Sequence, residues 1–132
     1  MKWLEVTQLA SGVSASRSRK GTWAYSARQE GQGDNSNTQF AMLALHEAER
    51  VGVEVNPSTW RLALEYWRQT QKEDGSWGYK PGLPSTGSMT CAGICSLVIA
   101  SGRLSSGSAT VEGGNVSCCG EGDYSSGVER GL

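Results

Sequence analysis

The chain offers little for chemistry: one histidine, four cysteines and scattered acids in 132 residues. His46 stands among Glu47, Glu49 and Arg50. That company reads as the polar, solvent-facing end of a helix. Cys91 and Cys95 are four apart, which puts both thiols on one side of a helix. With the Cys118-Cys119 pair they make four thiolates, the number a tetrahedral metal takes. A loop-to-helix disulfide is a second arrangement, and small residues buried in a tightly packed helix are a third. Adjacent cysteines fit one tetrahedral ion poorly, so the packing reading is adopted and neither metal nor cofactor is expected. Asp34, Asp74 and Asp123 are isolated. Asp34 precedes Asn35-Ser36, where a carboxylate caps a helix N-terminus. Asp74 sits in a Glu73-Asp74-Gly75 turn. Phosphate-cradling glycine motifs and a nucleophile elbow are missing, and a single histidine gives a hydrolytic triad little support. Asn115-Val116-Ser117 matches a glycosylation sequon and reads as chance. No catalytic residue is expected.

The elements that would position these residues are helices. Asn56-Pro57 is an N-cap followed by proline at the first helical position, where its missing N–H costs nothing. Trp60, Ala63, Leu64 and Trp67 then recur at i, i+3, i+4 and i+7, so 57–71 is expected as an amphipathic helix. The helix expected over 36–51 is apolar nearly all round from Phe40 to Leu45 and stops at Gly52. The one expected over 88–101 carries no charge at all. Helices apolar on every side are interior ones.

An internal repeat links these helices. Gly21-Thr22-Trp23-Ala24-Tyr25 returns 54 residues later as Gly75-Ser76-Trp77-Gly78-Tyr79. Thr38-Gln39-Phe40-Ala41-Met42-Leu43-Ala44-Leu45 aligns with Thr90-Cys91-Ala92-Gly93-Ile94-Cys95-Ser96-Leu97 at a distance of 52. The order is outer helix, tryptophan-bearing turn, inner helix, repeated. Residues 1–104 hold two such hairpins, 105–123 read as a Gly/Ser-rich loop or insertion, and 124–132 open a third outer helix. A glutamine ending an outer helix can bond free backbone groups where the next helix approaches. A tryptophan after a glycine turn can offer its N–H to a helix-end carbonyl. Gln8, Gly21, Trp23, Gln71, Gly75 and Trp77 are therefore read as structural, with Tyr25 and Tyr79 as candidates for lining the mouth of an apolar cavity.

These residues resemble the QW repeat of the squalene–hopene cyclase and prenyltransferase group. Ala63, Tyr66, Gln71, Gly75 and Trp77 fall on its spacing, with Trp67 where an aliphatic is usual and Arg61 one place from the expected base. Trp3-Leu4-x3-Gln8 fits the first half of another copy, its Gly21-x-Trp23 delayed by an insertion; Arg130-Gly131 fits the opening of a third. The resemblance implies an all-α architecture, tandem helical hairpins of an α/α toroid, of which this chain would be a fragment. It also implies, in a cyclase, an Asp-x-Asp-Asp acid motif and, in a protein prenyltransferase, an Asp/Cys/His zinc set; neither occurs here. Two functions follow. One is a structural or binding scaffold around an apolar inner surface. The other is part of a cyclase-like isomerase or prenyltransferase whose acid or metal motif lies outside these residues. Expected partners are the remaining hairpins of the same toroid or further copies of the chain, with an apolar, isoprenoid-like ligand as a further candidate.

Composition narrows the classes. The chain has 22 Leu, Ile, Val and Phe residues against 36 Gly and Ser. Five tryptophans and a net charge of −1 argue against full disorder and against nucleic-acid binding, which needs a basic excess. The basic cluster Arg17, Arg19 and Lys20 reads as a solvated loop. Met1-Lys2 is followed by no apolar run, so no signal sequence is read and a cytoplasmic location is the default expectation. The uncharged stretch 81–102 contains too many polar residues to be read as a transmembrane segment.

Overall fold

The structure, a computed structural model, describes residues 2–8, 20–25, 33–105, 110–112, 115–117 and 125–131. It is mostly helical. In chain order it has α1 (Lys2–Thr7), α2 (Asn35–Arg50), α3 (Pro57–Thr70), α4 (Gly87–Ser105), β1 (Thr110–Glu112), β2 (Asn115–Ser117) and α5 (Ser125–Gly131).

Caps fix where the helices start. Asp34 is extended, at φ −135° and ψ 162°, and its carboxylate accepts the Asn37 N–H at 2.9 Å. Asn56 does the same for Ser58 at the head of α3, with Pro57 at the first helical position. Thr86 Oγ1 accepts the Met89 N–H at 3.3 Å at the head of α4. Trp60, Ala63, Tyr66 and Trp67 form the buried side of α3. α4 packs against α2, α3 and α5. Trp67 is the centre of the core, edge-on to Tyr66 at 5.7 Å and to Trp77 at 5.9 Å. Small residues on α4 let it lie on these rings: a Cβ on Gly93 would stand 2.5 Å from the Trp77 indole.

The two tryptophan turns are tied by the same bonds at corresponding residues. Trp23 N donates to Thr38 Oγ1 at 3.2 Å, and Trp77 N donates to Thr90 Oγ1 at 3.3 Å. Thr38 Oγ1 donates to the Asp34 carbonyl and Thr90 Oγ1 to the Thr86 carbonyl. Trp23 Nε1 donates to the Leu4 carbonyl at 2.7 Å, and Trp77 Nε1 to the Trp67 carbonyl at 3.0 Å. Residues of α2 thus match those of α4 at a distance of 52, the turns match at 54, and α1 matches α3 at 63.

Four expectations need correction. The stretch 105–123 is not all loop. α4 runs on to Ser105, and β1 pairs antiparallel with β2, Val111 opposite Val116. β-branched residues at 110, 111 and 116, separated in sequence by Gly113-Gly114, favour an extended pair over a loop. Second, α2 and α4 are interior only in part: Phe40 on α2 and Val98 on α4 are 67% and 49% exposed, the open apolar face expected where neighbouring helices are missing. An apolar composition marks a helix as wanting cover on every side, but only the neighbours present can supply it. Third, Cys91 and Cys95 are exposed rather than packed inside. Fourth, His46 is half-buried between helices and not at a solvated end. α4 is 19 residues long with a mean hydropathy of 1.2, enough by length and composition to cross a membrane, and only a third of it is covered by packing.

Candidate functional site

The glutamines and glycines around the two turns join α1 to α3 and α3 to α5. Gln8, buried at the end of α1, donates through Nε2 to the carbonyls of Gly21 (3.3 Å) and of Thr59 in the first turn of α3 (3.0 Å). Gln71 donates to the Gly75 carbonyl at 2.9 Å and accepts from Arg130 of α5 at 2.9 Å. Gly21 and Gly75 have φ of +86° and +81°, and a Cβ on either would collide with the backbone carbonyl of Leu62 or Arg130 respectively. Only glycine takes that conformation freely and lets a turn press so closely on the next helix.

Between the joints lies a polar hub. Asn35, 1% exposed, accepts from the Tyr66 hydroxyl at 2.5 Å and donates to the Gly78 carbonyl at 2.7 Å. Its own N–H donates to the Tyr79 carbonyl, so the head of α2 is sewn to the second turn. The neighbouring Asp34 carboxylate accepts twice from Asn37. The two candidate lining residues meet here. Hydrogen bonding with Tyr25 pushes the Tyr79 hydroxyl well above the usual tyrosine range, with burial and the nearby Asp34 carboxylate adding to the shift. Tyr79 therefore keeps its proton as a donor at this junction, while the Tyr25 ring stays 76% exposed. Nothing in the residue pattern marks the Asn35 hub, because one asparagine inside a helix head is indistinguishable from a cap neighbour.

Beside Tyr25 an open groove of about 310 Å³ runs between α1 and α2. Trp3, Leu4 and Thr7 form one wall, Phe40, Ala41 and Ala44 the other, with the Trp23 turn closing one end. The lining is chiefly aromatic and aliphatic, so the groove suits an apolar occupant.

The residues considered for chemistry lie apart from it. His46 Nδ1 is 2.9 Å from Arg103 Nη2, and Arg103 Nε is 3.0 Å from the Glu49 carboxylate. Glu49 also accepts from Trp60 Nε1, so this cluster bolts α2, α3 and α4 together. Asp74 accepts from Ser76 through both its backbone N–H and its hydroxyl, which lowers the carboxyl pKa below the ordinary value. Among the described residues no three His, Cys, Asp or Glu side chains gather as a metal site. Cys118, Cys119 and Asp123 lie outside the described residues. Comparison with protein-family models, curated proteins and solved structures finds no match to this chain.

Proposed function

We propose that the chain is a scaffold of the α/α-toroid kind, holding an apolar partner against its inner helices without chemistry of its own. The groove between α1 and α2, with Trp3 and Phe40 about two-thirds exposed on its walls, is the observation that carries this reading. Exposed aromatic pairs of this kind mark binding surfaces, because leaving them in water forfeits the favourable burial of their apolar area. Bonds from Trp23 to the Leu4 carbonyl and from Gln8 to the Thr59 carbonyl hold α1 as one wall of the groove.

The test uses N-phenyl-1-naphthylamine, a neutral dye whose emission rises in apolar surroundings, with dilute folded chain. Enhanced emission that farnesol competes away, and that Phe40→Glu abolishes, is the expected result. Wild-type chain with native helical circular dichroism and no enhancement would overturn the reading. So would conversion of squalene or of a prenyl diphosphate by the chain alone, since the reading assigns it no catalysis.

A further inference from the structure

The hairpin correspondence says what shape belongs in the groove. At a distance of 63 along the outer helices, the groove's Trp3 and Leu4 match Tyr66 and Trp67 of α3. At a distance of 52 along the inner helices, Phe40 and Ala44 match Ala92 and Ser96 of α4. In the second hairpin every one of these matched positions is covered: Tyr66, Trp67, Ala92 and Ser96 are at most 3% exposed. The cover is α2. Asn35 takes the Tyr66 hydroxyl, Met42 Sδ takes the Trp67 Nε1–H, and α2 packs along α4. The groove of the first hairpin is thus the seat that, one hairpin on, an inner helix fills.

The same comparison names the helix face that fits. α2 turns towards α4 the side that carries His46, bonded to Arg103, and Leu43 and Gln39 lie on that side at helical spacing. Their counterparts on α4 are Val98, Cys95 and Cys91, all exposed. One end of the molecule carries an empty seat, and the other an unseated helix face. Neither carries a charge at its centre, so electrostatics do not oppose their meeting. The joint between them would continue the α2–α4 junction already inside the chain.

Building on the scaffold reading, we infer that the occupant of the groove is a second copy of this chain, which seats the Cys91/Cys95/Val98 face of its α4 between α1 and α2 of the first. The contact is head-to-tail: each copy offers a different surface, so association proceeds to a closed ring or an open string.

Sedimentation velocity of the full chain over rising concentration tests this, with two variants. Phe40→Glu spoils the seat, and Val98→Glu spoils the face. Both positions are exposed, so helical circular dichroism stays native. Each charge would have to shed its water in the contact, so either variant alone weakens association by at least about tenfold. Mixed together, the two variants form one-to-one dimers that grow no further, since the intact seat of one takes the intact face of the other. Loss of association in Phe40→Glu but not in Val98→Glu, or no rescue on mixing, would overturn the head-to-tail contact. Wild-type chain that stays monomeric throughout would overturn the second copy as occupant. If that monomer still binds N-phenyl-1-naphthylamine, the scaffold reading survives with a small apolar molecule as its partner; if it binds neither, both readings fall.

Discussion

Gly21 and Gly52 form a matched pair that separates backbone strain from the pressure of a turn on a helix. Both have φ +86°, but a Cβ at Gly52 meets nothing within 4 Å, whereas one at Gly21 strikes the Leu62 carbonyl of α3. Gly52→Ala pays only for holding alanine in the left-handed region, about 1 kcal/mol. Gly21→Ala pays that and must also push the turn off α3. That movement pulls Gln8 away from the Gly21 and Thr59 carbonyls it bridges, and Gln8 is only 6% exposed. Leaving such buried groups unpaired costs about 1–3 kcal/mol, so the total for Gly21→Ala comes to about 3 kcal/mol. In urea unfolding followed by circular dichroism, with a slope of about 2 kcal/mol/M, the midpoints fall by about 0.5 M and about 1.5 M respectively. Equal shifts in the two variants would refute the argument, because they would mean that the turn does not bear on the helix.

Asn35→Ala removes the buried acceptor of the Tyr66 hydroxyl and the donor to the Gly78 carbonyl, at about 1–3 kcal/mol each, for a total near 3 kcal/mol by urea unfolding. Adding Tyr66→Phe removes the hydroxyl that has lost its Asn35 acceptor and restores part of the loss; strict additivity of the two changes would show that the pair is not coupled. Tyr79 is tested by pH. Its folded pKa is raised, so the folded chain holds this proton where the unfolded chain releases it, above about pH 10. The stabilisation is complete below that pH and is lost as pH rises towards the folded value. Wild-type stability therefore drops more steeply than that of Tyr79→Phe in alkali, and parallel profiles would count against the bond to Tyr25.

The helices and their heads were legible because their signals are local. Asn56-Pro57 and Asp34 act on the next three residues, and the spacing of Trp60, Ala63 and Trp67 shows which side of α3 is covered. The correspondence between the turns at Trp23 and Trp77 was legible for another reason: identical local chemistry must be written twice. What stayed hidden depends on neighbours. Nothing in an uncharged helix distinguishes the flank that meets α2 from the flank left bare, so the spacing of Cys91 and Cys95 reads as packing although both thiols are exposed. His46 looked solvated beside Glu47 and Arg50, because its partner Arg103 lies 57 residues away. Of the residues named from the sequence as lining a cavity mouth, Tyr25 borders the groove and Tyr79 does not; the groove's walls come from α1 and α2, separated by an insertion with no pattern of its own.

Apart from the Gln71–Arg130 bond, the bonds around the two turns are blind to much of what they join. Gln8, Gln71, Trp23 and Trp77 all grip main-chain carbonyls: those of Gly21 and Thr59, of Gly75, of Leu4 and of Trp67. A carbonyl is present whatever side chain follows it. The outward residues of α1 and α3 are therefore free to drift over generations without loosening the joint. Helices with quite different exteriors can therefore carry the same tryptophan turn in the same register.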